Sequence, residues 1–158
     1  MKIKGQAISA PNVAILAIPR QNGEDIIFKA RAILSMDTFD KLCPEPTPPT
    51  IKYADGRVVP DFNDKNYKKR QDELGELRMA YMFIESLRAT DDLTWDTVNY
   101  DDPATWMNYK KEMQDAGFNH VEIQRLQGLV FEANALDESK FKEARERFTL
   151  SQAVTSQQ

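Results

Sequence analysis

Residues Cys43 to Thr50 read Cys-Pro-Glu-Pro-Thr-Pro-Pro-Thr, with four prolines between positions 44 and 49. Each proline lacks a backbone N–H and fixes φ, so this run can continue neither a helix nor a central strand. It predicts an extended, polyproline-like connector, stiffer than a Gly/Ser linker. It also divides two kinds of sequence: a β-branched, hairpin-like stretch before it and a charge-rich stretch of helical period after it. The expected connector either docks the hairpin onto the helices or offers an arm to a partner.

Upstream, Val13–Ile18 and Ile26–Ile33 are strand candidates joined through Asn22-Gly23. Asn-Gly supplies positive φ at low steric cost and is a strong hairpin signal. Pro19 stands at a strand end, where a missing donor is tolerated. Residues 35–43 read as a short helix capped by Ser35 or Asp37 and stopped by Pro44. Downstream, Ile51–Tyr53 and Arg57–Val59 flank Asp55-Gly56 as a second small hairpin.

From Asp64 the period changes. Leu74, Leu77, Tyr81, Ile84 and Leu87 recur at three- and four-residue spacings, which marks one face of a helix over about 65–88. Gly75 costs about 1 kcal/mol inside it and predicts fraying or bending. Met79, Met82 and Phe83 widen the apolar surface, so the helix is expected to pack on two sides or meet another chain. Leu93–Val98 reads as a short strand or extended segment. Asp101-Asp102-Pro103 announces a helix ended by Gly117, Asn119 caps the next, and Asp137 caps a last one carrying Phe141, Ala144 and Phe148. The sum is an α+β fold: a small N-terminal antiparallel β-sheet of hairpins with a mainly helical C-terminal part of four or five helices. We divide it as 1–50 (hairpin region and proline strap), 51–150 (mainly helical) and 151–158 (flexible tail), one compact domain overall.

The 158 residues carry 21 Lys and Arg against 25 Asp and Glu, a net charge of −4 with both signs interspersed. That argues against a nucleic-acid partner, which needs a basic face. Lys65, Lys68, Lys69 and Arg70 are surrounded by Asp64, Asp72, Glu73 and Glu76 and read as a solvated helix face. No apolar run is long enough to span a bilayer, the opening Met1–Gly5 lacks a signal-peptide pattern, and Asn-x-Ser/Thr sites are absent. The expectation is a cytosolic chain without a membrane partner. Its single Cys43 reads as a small buried hydrophobe.

The chemistry-bearing residues do not assemble into a motif. His120 is the only histidine, and neither Glu122 nor Glu132 is fixed beside it as a ligand. The pairs Asp91-Asp92 and Asp101-Asp102 fall at helix boundaries, where carboxylates complement the dipole. Asp61, Asn63 and Asp64 have loose calcium-loop spacing without the required glycine and distal Glu. Ser9, Ser35, Ser86 and Cys43 have no base in a suggestive context, and no glycine-rich phosphate loop exists. Gly128 lacks a turn or cap explanation beyond permitting close helix approach. Trp95, Tyr100, Trp106 and Tyr109 sit among aspartates and read as core or protein interface rather than a base-stacking platform. We expect no catalytic, cofactor-binding or metal-binding residues, and no enzyme.

The order of short motifs is informative beyond this. Ile18-Pro19-Arg20 with Asn22-Gly23 precedes Phe39-Asp-Lys-Leu-Cys-Pro-Glu-Pro46, followed by Ala116-Gly117-Phe118 and Ala144-Arg-Glu-Arg-Phe148. This order resembles the tail assembly chaperones of long-tailed bacteriophages. The resemblance implies a non-enzymatic protein of the host cytoplasm that binds the tape measure protein, and other tail proteins, during tail morphogenesis. It carries no catalytic motif over. Adaptable methionines such as Met79, Met82, Met107 and Met113 suit such a role, and equally suit core filling. A homo-oligomer is compatible with it. The alternative is a virion structural component, a connector or tail-completion protein.

Overall fold

In a computed structural model, the structure describes residues 12–134 continuously, together with 2–3, 5–7, 139, 142–143 and 145–147. The fold is α+β, with a small N-terminal antiparallel sheet and a mainly helical remainder. Each sheet among the described residues is a two-stranded antiparallel hairpin: β1 (Lys2–Ile3) with β2 (Gln6–Ala7), β3 (Val13–Pro19) with β4 (Asp25–Arg31), and β5 (Thr50–Lys52) with β6 (Val58–Pro60). The described helices are α1 (Asp37–Leu42), α2 (Lys65–Leu87), a 3₁₀ helix (Pro103–Asn108), α3 (Tyr109–Asp115) and α4 (His120–Ala133). The expected helix capped by Asp137, with Phe141, Ala144 and Phe148, lies in part outside the described residues, and so does the tail 151–158.

The chain forms two compact units. The first gathers residues 1–34, 86–93 and 119–158, three stretches far apart in sequence. Its base is the β3–β4 hairpin, turned at Gly23, whose φ of 81° is one that side-chain-bearing residues rarely adopt. Alternate residues Ala14, Ile18, Phe28 and Ala30 are buried on one sheet face, and Ile123, Leu126, Leu129, Val130 and Ala133 are the buried face of α4. Asn119 caps the start of α4 as the sequence led us to expect, and Glu122 closes a capping box with it. Asn12 Nδ2 donates to the carbonyls of Glu132 and Ala133 (3.1 and 3.0 Å), and Arg20 pairs with Glu122 at 2.8 Å. These two ties run α4 antiparallel beneath β3. At the other end of α4, Asn134 joins three segments: its Oδ1 accepts from Ile33 N (2.9 Å), and its Nδ2 donates to Ser86 Oγ (2.9 Å) and Val130 O (2.8 Å).

The second unit holds residues 35–85 and 94–118, and the proline segment lies inside it. Phe39 of α1, Tyr81 of α2 and Trp106 are buried together, with ring centroids 5.0–6.0 Å apart. Trp106 is fully buried and its Nε1 donates to the carbonyls of Asn99 and Tyr100, so the ring carries no unpaired polar atom into the core. Phe83 stacks on Tyr109 at 4.3 Å. The strap is docked: Glu45 faces Arg78 at 3.9 Å and Thr47 O accepts from Arg70 at 3.4 Å, two points along α2.

Some local expectations differ from the structure. α2 runs without interruption through Gly75, because its i→i−4 ladder tolerates one glycine. The segment 93–98 forms no strand; instead Glu112 captures it, accepting from Asp96 N, Thr97 N and Thr97 Oγ1. The helix announced by Asp102 opens as a 3₁₀ turn before α3, with Asp102 Oδ1 accepting from Ala104 N. Ser35 does not occupy the cap position of α1, which is Met36, but its hydroxyl accepts from Asp37 N at 3.0 Å.

Candidate functional site

The residues with catalytic or ligand potential are dispersed and mostly committed to structure. His120 is the first residue of α4 and exposed. Glu122 is held by Arg20 and the capping box, and Glu132 lies nearly three turns further along the helix. Among the described residues, no three of His, Cys, Asp and Glu converge as a metal-binding group. Asp61 Oδ1 accepts from Asn63 N, Asp64 Oδ1 from Tyr67 N, and Asn63 Oδ1 from Lys68 Nζ. That trio builds the turn into α2 rather than a calcium loop.

The two acidic pairs part company. Asp102 caps a helix N-terminus, where a carboxylate is favourable. Asp91 and Asp92 instead follow the C-terminus of α2, the wrong end for the dipole. Asp91 is placed there by Lys29, paired at 2.5 Å, and Asp92 sits in a turn at φ 57°. The basic cluster is a solvated face, as read from sequence: Lys69 faces Glu73 at 3.6 Å and Arg70 holds the strap.

The nucleophile candidates are unactivated. Cys43 is buried, and burial pushes its thiol pKa up, away from the reactive thiolate. Ser86 is fully buried and accepts from Asn134; Ser35 is exposed and occupied by Asp37 N; Ser9 lies outside the described residues. Trp106 and Tyr109 belong to the core, and Met113 is buried with them while Met79 is 45% exposed.

Open depressions occur among the described residues. One, of about 640 Å³, lies in the second unit between Thr94–Thr97 and α3. Of its charged residues, Lys111 pairs with Asp115 and Glu112 holds the 96–97 backbone. Partial burial alone would raise the Glu112 carboxyl pKa, but the hydrogen bonds from Asp96 and Thr97 outweigh it and hold the pKa below the ordinary value. Another, about 240 Å³, lies in the first unit along Leu16–Pro19 of β3, floored by Val121 and Arg125 of α4. Comparison with family models, with curated proteins and with solved structures gives no match.

What distinguishes this surface is apolar exposure. In the second unit the β5–β6 hairpin is exposed along nearly its whole length, and Val58 (57%), Phe62 (60%) and Met79 stand in solvent with Ile51 and Tyr53. In the first unit, Val13, Ile15 and Ile27 are exposed on the outer face of the β3–β4 hairpin. The alternation of Phe28, Ala30 and Ala32 with Lys29 and Arg31 pointed to one wet face of this hairpin, but Val13–Ile18 is apolar throughout and shows no alternation to say which of its residues share that face. No described helix is long and apolar enough to cross a membrane.

Proposed function

We propose that this chain is a non-enzymatic tail assembly chaperone of a long-tailed bacteriophage, acting in the host cytoplasm on the tape measure protein. The observation that supports it is the apolar exposure of the second unit. Ile51, Tyr53, Val58, Phe62 and Met79 are solvent-facing in a chain of net charge −4. Scattered exposed apolar residues are ordinary on any surface, but here several belong to one projecting hairpin and its junction with α2. A two-stranded hairpin is marginal by itself, and this one is tied at its base by Asp61 N donating to Pro49 O and stiffened by the prolines before it. A rigid, apolar arm suits a long helical client whose apolar face must be kept from water while tube subunits gather. Met79, exposed on α2, adds adaptability.

Co-expression with the tape measure protein of the same genome tests the reading. The chain co-purifies with it, and Val58→Ser with Phe62→Ser weakens capture while leaving the fold intact. Clean failure to capture at high expression sinks the proposal. The second reading, a connector or tail-completion component, draws on the same projecting arm, which could order against a neighbouring subunit. Mass spectrometry of purified virions separates the two: a chaperone is absent, a component is present at fixed copy number.

A further inference from the structure

The two edges of the β3–β4 hairpin differ in what meets them. Arg20 N donates to Glu24 O and Ala32 N to Asn12 O, so the even-numbered residues of β3 exchange hydrogen bonds with β4. The odd-numbered residues of each strand turn their N–H and C=O groups away from the ladder. On β4, Thr90 meets these groups: its Oγ1 accepts from Lys29 N and donates to Lys29 O, both at 2.9 Å. On β3, the N–H groups of Val13, Ile15 and Ala17 donate to nothing among the described residues. Val13 and Ile15 also expose their apolar side chains, and positions 12–18 carry no charge to deter a further strand.

The side chains beside this edge set the sign of what fits it. The depression of about 240 Å³ is lined by Leu16–Pro19 of β3 and by Val121 and Arg125 of α4, so it opens along the same strand on the α4 side. Arg125 is exposed and has no ion pair or hydrogen bond among the described residues. The carboxylate in that lining, Glu122, is already taken by Arg20 at 2.8 Å and by the capping box. On the opposite face, Arg31 stands directly across from Val13. It too is exposed and unpaired among the described residues, whereas Lys29, next along that face, is paired with Asp91.

We infer that the β3 edge receives an extended, acidic segment of a partner protein, which adds a strand to the hairpin. Main-chain pairing with Val13, Ile15 and Ala17 holds the segment. Side chains opposite those three lie on their face and cover the exposed Val13 and Ile15. The side chains between them point to the α4 side, where a carboxylate meets Arg125 in the depression. The partner therefore alternates apolar and acidic residues. A basic segment would bring like charge against both arginines, and a wholly apolar one would leave Arg125 without a counter-charge. The inference concerns the first unit alone and stands whether or not the arm of the second unit holds a client.

Fluorescence anisotropy with the full chain and a dye-labelled acetyl-Val-Glu-Val-Glu-Val-amide probe tests the inference. The probe binds saturably, and the same peptide with lysine in place of glutamate binds at least about tenfold more weakly. Arg125→Glu reverses that preference. In the bound register the valine N–H groups face β3 and the glutamate N–H groups face away. N-methylation of the valines therefore abolishes binding, and N-methylation of the glutamates does not, with no change made to the protein. Ala17→Pro, which removes an outward donor, weakens binding while far-UV circular dichroism stays unchanged. Val58→Ser with Phe62→Ser, in the second unit, leaves probe binding as it was. Absence of saturable binding overturns the inference, as does equal binding of the lysine peptide or indifference to N-methylation of the valines. Sedimentation equilibrium adds one more refuting outcome: a dimer that excludes the probe and that Ala17→Pro dissociates would give the edge to a second copy of the chain.

Discussion

Asn134→Ala removes a side chain that joins the segment after β4, the end of α2 and the end of α4. Three hydrogen bonds go with it: Ile33 N to Oδ1, and Nδ2 to Ser86 Oγ and Val130 O. Ser86 is fully buried, so its hydroxyl loses a partner that water cannot readily replace. At about 1 kcal/mol net per hydrogen bond, with a further penalty for orphaned buried groups, the loss is about 3 kcal/mol. For a chain of this size that lowers Tm by roughly 6–12 °C. The assay is urea unfolding followed by circular dichroism, with a double-mutant cycle against Ser86→Ala. Because Asn134 and Ser86 share a bond, the two substitutions must not add: the coupling is about 1 kcal/mol. A loss below about 1 kcal/mol for Asn134→Ala, or strict additivity with Ser86→Ala, would show that the node is not what holds these three ends together.

Two further outcomes follow from the second unit. The folded-state pKa of Glu112 is depressed by its bonds to Asp96 and Thr97, so the stability it contributes is present above the unfolded carboxylate pKa and is lost as pH falls through the folded value. Glu112→Gln should therefore destabilise at neutral pH and flatten the acid limb of the stability profile, measured by thermal unfolding across pH; an unchanged limb refutes the assignment. Gly75→Ala and Gly117→Ala should move stability in opposite directions in denaturant titrations. Both have open space where a Cβ would go, but Gly117 has φ 89° while Gly75 lies within α2. The expected changes are a gain of about 1 kcal/mol for Gly75→Ala and a loss of similar size for Gly117→Ala.

Elements with local causes were legible in the sequence. Asn22-Gly23 placed a hairpin because positive φ is a property of those two residues, and Asn119 placed the start of α4 because its side chain can accept from the first backbone N–H groups of a helix. Phe39, Tyr81, Trp106, Tyr109 and Met113 read as apolar positions on helical faces and are buried. The unread parts all depend on distance along the chain. Asn134 meets Ser86 across 48 residues and Ile33 across 101, and no spacing rule connects them. Asp91 looked like a dipole partner because its helix end was not fixed by local sequence, whereas Lys29, 62 residues away, claims it.

The stretch Cys43–Thr50 shows where local sequence stops and tertiary structure takes over. Its prolines alone dictate that it is stiff, extended and outside any helix or central strand, since that follows from a fixed φ and a missing donor. They cannot dictate what it lies against. The reach of Arg70 and Arg78 from α2 decides that, and it sets the strap within the second unit rather than leaving it as a spacer. Likewise the apolar run Val13–Ile18 determined a strand, while only the placement of α4 beneath one face and of Thr90 along the β4 edge decided which of its residues are core. Backbone preference is written residue by residue; burial and edge coverage exist only once distant segments meet.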